Sequence, residues 1–204
     1  MAGDVFVITA PSGTGKTTLL KQLMAADTRL RFSISYTTRA PRPGEVNGRD
    51  YFFVSPEEFA RLRDQGKLAE WVEQFGYAYG TSRQWVEDTL AESRDVVFDI
   101  EPRGAKALKQ VFPQGTFIFI LPPSWDQLER RLQVRGKMAE AEMHRRLEQG
   151  RREVQEAHWY DFLVVNDDLD IAVAQLRAIV VASRCRTGKL WPTLAPQFLS
   201  VEKN

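Results

Sequence analysis

The chain has 204 residues, a length that favours a single domain with a substantial core. Its 28 basic and 27 acidic residues leave a formal net charge of +1, which excludes a surface built throughout to coat nucleic acid or an anionic membrane. The lone Cys185 excludes an intramolecular disulfide, and the sequence shows neither a signal peptide nor an apolar run of membrane-spanning length, so we expect a cytoplasmic protein.

Hydrophobic periodicity and turn residues predict alternating strands and helices along the chain. The apolar run at 5–10 is typical of a strand buried on both faces of a parallel sheet. The other predicted strands cover 31–36, 50–54, 68–75, 95–100, 115–121 and 161–165, with a turn at 76–82. The predicted helices cover 16–26, 84–93, 103–111, 139–157 and 170–182, and two more begin near 55 and 124. The start near 55 combines Ser55 as N-cap, Pro56 in the first turn and Glu58, which completes a capping box.

This alternation predicts an α/β fold with a parallel core sheet flanked by helices. Two regions interrupt it, and we interpret both as inserts on the core. In the first, about 34–82, strands follow one another without full crossover helices, and the second, about 124–150, is rich in Arg and Glu. The Arg/Glu run at 145–156 is interpreted as mostly a solvated helix face. The tail at 185–204 has two prolines and no clear period, and it receives no functional interpretation.

Residues 10–17, Ala-Pro-Ser-Gly-Thr-Gly-Lys-Thr, connect a predicted strand to a predicted helix. In a phosphate loop, glycines let successive backbone N–H groups face a phosphate at the positive end of the helix dipole. Lys16 would then reach the β- and γ-phosphates of a nucleoside triphosphate, and the Thr17 hydroxyl would bind Mg²⁺. Ala10 replaces the first glycine of the motif, at the strand end away from the phosphates. A simple glycine turn is the alternative, which the flanking elements disfavour.

Asp99 ends a later buried strand, from which its carboxylate can hold the water shell of Mg²⁺. The alternative is an aspartate that only caps the next turn, and the phosphate loop favours the metal role. Arg39 and Arg42 lie on a loop of the first insert that is stiffened by prolines. The planar guanidinium matches phosphate oxygens bidentately, so these arginines could grip a second anion. Arginines in a loop are otherwise usually just solvated.

Several segments together identify a resemblance to a known family. They are "APSGTGKTT", "SISYTTRAPRPGEVNGRDY", "EWVEQFGYAYGTS", "FDIE", "RLQVRG" with the later "RRL", and "YDFLVVND". Over about residues 4–183 the chain resembles the guanylate kinases, which move the γ-phosphoryl of ATP onto GMP. The resemblance implies a P-loop NTPase-like core within a domain at 1–184. It also implies a mixed GMP-binding insert at about 34–82 and a helical lid at about 124–150.

The resemblance also implies roles for individual residues. The ATP-binding positions are Pro11, Ser12, Gly13, Thr14, Gly15, Lys16, Thr17, Thr18 and, near the base and ribose, Asn166. The positions that hold the GMP phosphate are Arg39, Arg42, Tyr51 and Tyr79, and those that read the guanine are Ser35, Glu70 and Thr81. The catalytic positions are Lys16, Arg39 and the lid arginines Arg135 and Arg146, and the metal-site positions are Thr17 and Asp99.

The implied partners are ATP and GMP as substrates and Mg²⁺ as cofactor, with no nucleic acid or membrane, in a monomer or homo-oligomer. Glu101 stands where the family usually has an aspartate that contacts guanine, and it either takes the contact to the 2-amino group or is displaced. Two alternatives stay open. One is a non-catalytic, peptide-binding domain of the kind found in scaffold proteins, which typically has a degraded phosphate loop. The other is a kinase for a sugar phosphate, which would not need Ser35, Glu70 and Thr81 together.

Overall fold

In a computed structural model of the protein, the described residues are 2–74, 76–134 and 140–199. Within them, the strands are β1 (Val5–Thr9), β2 (Leu30–Phe32), β3 (Ser35–Thr37), β4 (Phe52–Phe53), β5 (Leu68–Gln74), β6 (Tyr77–Ser82), β7 (Asp95–Asp99), β8 (Thr116–Leu121) and β9 (Phe162–Val165). The α-helices of the same residues are α1 (Lys16–Ala26), α2 (Pro56–Asp64), α3 (Arg83–Ala91), α4 (Pro102–Val111), α5 (Trp125–Val134), α6 (Glu140–Gln155), α7 (Leu169–Arg184) and α8 (Thr187–Leu199). None of these helices combines the length and apolar character needed to cross a bilayer.

The core sheet is parallel and has the strand order β2-β7-β1-β8-β9. Its central strands are buried on both faces, which explains their continuous apolar sequences. One face packs against α1 and α7 around Phe6 and Leu23, and the other packs against α3 and α4 around Phe98 and Phe117. The predicted α/β fold with a parallel sheet flanked by helices is confirmed.

A second sheet lies within residues 35–82 and has the order β4-β3-β6-β5. Strands β3 and β4 are parallel, whereas β6 runs antiparallel to both β3 and β5. The sheet is therefore mixed, and its residues fall in the region where the sequence interrupts the regular alternation. Its edge strand β5 also packs against α4 of the core, so this second sheet faces the carboxyl side of the core sheet.

Two of the predicted elements of this region are wrong. The predicted strand at 31–36 is two strands of different sheets, because the chain leaves β7 after the backbone N–H of Ser33 donates to the carbonyl of Val97 at 2.9 Å. The predicted turn at 76–82 is strand β6. Only Gly76, with a φ of +79°, adopts a turn conformation. Gly80 lies inside the strand, where a Cβ would come within 2.9 Å of the Glu70 carbonyl oxygen.

The start of α2 differs in one detail from its prediction, and the tail, for which no element was predicted, forms a helix. The Ser55 hydroxyl accepts from the backbone N–H of Glu58 at 3.1 Å, but the Glu58 carboxylate binds Arg61 instead of completing the capping box. The tail forms α8 despite Pro192 and Pro196, which made its pattern unreadable as a helix. The first turn of α8 is held to the start of the chain by the ion pair of Lys189 with Asp4.

A buried ionic cluster joins the start of the chain and the end of α7 to the core sheet. Asp95 at the start of β7 is fully buried and accepts from the backbone N–H of Asp4 at 2.7 Å. The Arg184 guanidinium at the end of α7 donates to Asp95 and pairs with Asp27 after α1, both at 2.7 Å. A fully buried carboxylate needs such compensation, because an unpaired charge in the interior is strongly unfavourable.

We expect Arg184→Ala to lower the free energy of unfolding by about 3 kcal/mol or more, because it removes the guanidinium partner of the buried Asp95. The matched control is Arg186→Ala, since Arg186 is exposed and makes one long hydrogen bond of 3.5 Å to Gln114; it should change stability by about 0.5 kcal/mol or less. Denaturant unfolding measures both variants. Equal small changes would show that Arg184 does not stabilise the core.

Candidate functional site

The loop between β1 and α1 has the backbone of a phosphate loop. Gly13 and Gly15 have φ angles of +90° and +97°, in the left-handed region that favours glycine. Space imposes the same requirement: a Cβ at Gly15 would lie 2.6 Å from the Asn166 Nδ2 atom, and one at Gly13 would lie 2.7 Å from Leu132. The helix α1 begins directly after Gly15, so its free N–H groups open toward the loop.

The carbonyl of Thr14 anchors this loop to two other parts of the chain. It accepts from Asn166 Nδ2 at 2.7 Å and from Arg131 at 3.2 Å, and Arg131 also donates to the Asn166 carbonyl at 3.0 Å. Asn166 is only 5% exposed, so its side chain supports the loop. It also lines a cleft of about 450 Å³ with Gly13, Gly15, Thr18, Arg130, Arg131, Asp167 and Leu169. Arg131 was missed in the sequence, although it begins the segment "RLQVRG".

Lys16 and Asp99 are brought together by the pairing of β1 with β7. Ile8 lies opposite Asp99 in the sheet, and the Lys16 ammonium forms an ion pair with the Asp99 carboxylate. Thr17 is exposed in the first turn of α1. A hydroxyl and a carboxylate are the oxygen ligands that Mg²⁺ prefers, and Mg²⁺ usually takes its other ligands from water and substrate phosphates. The described residues contain no cluster of three or more His, Cys, Asp or Glu side chains that could hold a metal ion.

Arg39 follows strand β3 of the second sheet and is 8% exposed. Its guanidinium donates to both oxygens of Glu45, at 2.8 and 2.9 Å, and this carboxylate raises the pKa of Arg39. The guanidinium also lies 5.4 Å from the centre of the Tyr51 ring, which in turn packs against Tyr79. The Arg42 side chain is exposed, while its backbone N–H donates to Glu45 at 2.7 Å. Glu45 was missed in the sequence, where it was one loop residue among charged neighbours.

Glu70 is the most buried acidic side chain of the second sheet, at 5% exposure. Its Oε1 accepts from the Thr81 hydroxyl at 2.9 Å, and the Ser35 hydroxyl lies 3.4 Å from that of Thr81. Burial raises the pKa of Glu70 to about 7, although the hydrogen bonds from Thr81 lower it. Gly104 in the first turn of α4 faces the other carboxylate oxygen, where a Cβ would lie 3.2 Å away. These three side chains, which were predicted to act together, are therefore adjacent.

The helix α6 brings Arg146 to the phosphate loop. Arg146 donates to the Ser12 hydroxyl at 3.4 Å and to Glu142 at 2.7 Å. The helix is held close at Gly150, where a Cβ would lie 3.3 Å from the Cβ of Pro11. The other predicted lid arginine, Arg135, lies outside the described residues.

Glu101 precedes α4 and does not cap it with its side chain. It lines a cleft of about 710 Å³ between α4, the end of β5 and α6. Glu153 of α6 lines the same cleft and is half-buried, so it departs from the solvated face predicted for 145–156, whose other charged residues are mostly exposed. Burial raises the pKa of Glu153 to about 7. Its sequence position gives no signal, because its burial depends on the neighbouring elements.

Comparisons with known proteins agree on one family. The family model described as guanylate kinase matches residues 3–183. The chain is 48% identical to the guanylate kinase of Oleidesulfovibrio alaskensis, over 97% of this chain and 94% of the relative. It is 44% identical to that of Geobacter metallireducens, over 96% and 97%. Its fold is similar to the crystal structure of guanylate kinase from Anaplasma phagocytophilum, with a TM-score of 0.79, 29% identity and coverage of 98% and 97%.

We expect Asn166→Ala to lower the free energy of unfolding by about 1 to 3 kcal/mol, because it removes a buried hydrogen bond to the Thr14 carbonyl. It should also weaken binding of the nucleoside triphosphate expected at the loop, since the loop loses an anchor. Asp167→Ala is the matched control, an exposed neighbour that lines the same cleft. Thermal unfolding and binding titrations measure both variants. An unchanged affinity for the nucleoside triphosphate in Asn166→Ala would contradict the anchoring role.

Proposed function

The chain belongs to the guanylate kinase family and is therefore a phosphotransferase, and we propose that it transfers the γ-phosphoryl group of ATP to GMP, giving ADP and GDP. The observation that carries the choice of acceptor is the buried Glu70 carboxylate, hydrogen-bonded to Thr81 and close to Ser35. Guanine presents N1–H and a 2-amino group as adjacent donors, which one ionised carboxylate accepts together. The Ser35 and Thr81 hydroxyls then form hydrogen bonds to the remaining polar edge of the base.

The second sheet supplies the acceptor site in this proposal, and residues 34–82 are its GMP-binding insert. Arg39, Arg42, Tyr51 and Tyr79 would hold the GMP phosphate. In the structure one guanidinium nitrogen of Arg39, Nη2, donates to both oxygens of the Glu45 carboxylate, an anionic partner of the kind that phosphate oxygens also provide. A phosphate therefore competes with Glu45 for Arg39. Arg42 keeps an exposed side chain available for the same anion.

The phosphate loop supplies the donor site, with Lys16 at the β- and γ-phosphates of ATP and Arg146 approaching across Ser12. Arg135 belongs to the same lid, at about 124–150, in this proposal. Thr17 and Asp99 would hold Mg²⁺, which when bound neutralises charge on the phosphates. Because Lys16 pairs with Asp99 in the structure, the ammonium already lies at the edge of the sheet where the phosphates would bind.

The transfer needs positioning and positive charge more than covalent chemistry from the protein. The GMP phosphate oxygen that attacks is already deprotonated, so no general base is required. Arg39 and Arg42 offset the charge of the acceptor, while Lys16, Arg146 and Arg135 offset the charge of the transferring group. Closure of the lid and the insert over both substrates would exclude water as a competing acceptor.

ADP release from ATP with and without GMP tests the proposal against its two alternatives. A peptide-binding domain would release no ADP in either case, and a sugar-phosphate kinase would not respond to GMP. The phosphate loop is not degraded here, since it keeps Lys16 and Thr17, and Arg146 of the lid donates to Ser12 of the loop. Stimulation of ADP release by GMP is the expected result.

We expect Lys16→Met to lower kcat by ~10³-fold or more, the scale of losing a cation at the transferring phosphoryl, with little change in GMP affinity. Lys21→Met is the matched control, because Lys21 is exposed on the same helix; its kcat should equal that of the wild type. Steady-state kinetics with GMP titrations measure both variants. Near-wild-type turnover in Lys16→Met would contradict the placement of ATP at this loop.

The pKa of Glu70 predicts a pH dependence for GMP binding. Below pH about 7 the carboxyl is protonated and cannot accept from both guanine donors. Because binding favours the ionised form, GMP affinity should be full above pH about 7 and fall by up to about tenfold per pH unit below it. Glu70→Gln should remove this dependence and narrow the preference for GMP over IMP, which lacks the 2-amino group.

AMP should be a very poor acceptor for the wild type, since sites built on such hydrogen bonds discriminate by ~10⁴ to 10⁵. The control for Glu70→Gln is Glu87→Gln, at an exposed position on α3, which should leave the pH profile of GMP binding and the preference among GMP, IMP and AMP unchanged. The measurements are kcat/KM for GMP, IMP and AMP and GMP affinity across pH. A GMP to IMP ratio that Glu70→Gln leaves unaltered would remove Glu70 as the reader of the base.

A further inference from the structure

The loop between β3 and β4 contains a tight turn next to the arginines of the proposed acceptor site. The turn covers Arg42 to Glu45, and the backbone N–H of Glu45 donates to the Arg42 carbonyl at 3.0 Å. Pro43 occupies the second position of the turn, and Gly44 occupies the third with a φ of +87°. This pattern is typical of a type II turn, whose third position favours glycine. The turn therefore fixes the place of Glu45 relative to Arg42.

The Glu45 carboxylate faces back toward the residues before the turn. One of its oxygens accepts from the Arg42 backbone N–H at 2.7 Å, and both accept from Arg39 Nη2, at 2.8 and 2.9 Å. Arg39 is restrained further by its Nη1 atom, which donates to the Ala40 carbonyl at 2.7 Å. One carboxylate therefore connects the backbone at Arg42 to the guanidinium of Arg39.

The contact between Glu45 and Arg39 is largely shielded from water. The side chain of Arg39 is 9% exposed and that of Glu45 is 20% exposed. The guanidinium also lies 5.4 Å from the centre of the Tyr51 ring and 5.8 Å from that of the Phe53 ring. Ion pairs in such surroundings are screened less by solvent than exposed pairs are. Glu45 therefore restricts the rotamers of a long side chain that an exposed loop would leave free.

We propose that Glu45 is a positioning residue for the acceptor phosphate, because it fixes the guanidinium of Arg39 relative to Arg42 before GMP binds and stays in contact with Arg39 afterwards. This inference rests on the proposed function, in which Arg39 and Arg42 hold that phosphate. Both Glu45 contacts use Nη2, so competition between the carboxylate and the phosphate is confined to this nitrogen. The Nε and Nη1 atoms carry further N–H donors for phosphate oxygens.

Preorganisation explains how a carboxylate can favour the binding of another anion. Two cations that converge on one phosphate repel each other, and a carboxylate bound to one of them offsets part of this repulsion. An arginine that is fixed before binding also loses less conformational entropy when the ligand arrives. Loss of the Glu45 carboxylate should therefore weaken the hold on the GMP phosphate, while contacts to the base at Glu70 stay intact. Repulsion between Glu45 and the phosphate acts in the opposite direction, so the sign of the change in GMP affinity is decisive.

The test compares affinities for GMP and for guanosine, which lacks the phosphate, in the wild type and in Glu45→Gln. The amide keeps the size of the carboxylate and one acceptor oxygen but removes its charge. We expect GMP affinity to fall by about tenfold or more, the scale of losing a charge-assisted hydrogen bond, and guanosine affinity to stay within about twofold. Glu57→Gln, at an exposed position on α2 of the same insert, is the matched control and should change neither affinity.

Two glycine variants test the turn separately. Gly44 and Gly66 have φ angles of +87° and +65°, and an added Cβ would meet nothing within 4 Å at either position. Alanine at either position therefore strains the backbone without a clash. Gly44→Ala should weaken GMP binding and spare guanosine binding, because it disturbs the turn that places Glu45. Gly66→Ala, in the connection between α2 and β5, should weaken neither.

An unchanged or higher GMP affinity in Glu45→Gln overturns the inference, since removal of a carboxylate that only competed with the phosphate would help the ligand. An equal loss for GMP and guanosine also overturns it, because Glu45 would then only support the fold of the insert. If Glu45→Gln fails to fold, the comparison of Gly44→Ala with Gly66→Ala decides the question. A wild type that binds GMP no more tightly than guanosine overturns the proposed phosphate site instead, and this inference with it.

Discussion

The parallel pairing of β1 with β7 fixes the position of the phosphate loop relative to the other residues of the site. It places the end of β1, and with it the phosphate loop, next to Asp99 at the same edge of the sheet. Ligands of open parallel sheets bind at this carboxyl edge, because the loops that follow neighbouring strands converge there. The chain adds α6 and the second sheet on either side of that edge. Helix α6 and the end of β5 therefore line one cleft together with Glu101, two residues after Asp99.

Carboxylates fill the roles that substrate anions are proposed to take. Glu45 accepts from the Arg39 guanidinium, Asp99 pairs with Lys16, and Glu142 pairs with Arg146. Arginine and lysine side chains that would otherwise repel one another are thereby held in place before any phosphate arrives. A phosphate that enters meets cations already oriented, so less conformational entropy is lost on binding. It must, however, displace or share an existing partner at each position.

Local chemistry explains which features could be predicted from the sequence. The phosphate loop and α1 follow from glycines with positive φ and a helix start, which depend on a few consecutive residues. The grouping of Ser35, Glu70 and Thr81 came from the resemblance to a family, and the register of β3, β5 and β6 brings them together. Strand β6 was misread because Gly80, placed there by the backbone of β5, looks like a turn residue.

Contacts between residues that are far apart in the sequence could not be predicted from local sequence patterns. Arg131 has the surroundings of an exposed helix residue in sequence, and only the packing of α5 on the phosphate loop gives it the carbonyls of Thr14 and Asn166 as partners. Glu153 bonds to Gln149 of its own helix, but the cleft between α6, α4 and the end of β5 is what sets its burial. The same holds for Arg184, whose two carboxylate partners lie about 90 and 160 positions earlier in the chain. A charged side chain is expected to be exposed, and only the tertiary contacts at these positions determine that it is half-buried.

The ion pair of Lys189 with Asp4 brings two distant points of the chain together at the amino edge of the core sheet. That edge is opposite the one where Lys16 and Asp99 meet. A short linker from residue 189 to residue 4, in place of residues 1–3 and of residues 190–204 with most of α8, would therefore close the backbone into a ring with little loss of loop entropy. New termini could then be opened in an exposed connection such as that between α4 and β8. The molecule is thus suited to circular permutation, with a rearranged chain order around an unchanged catalytic edge.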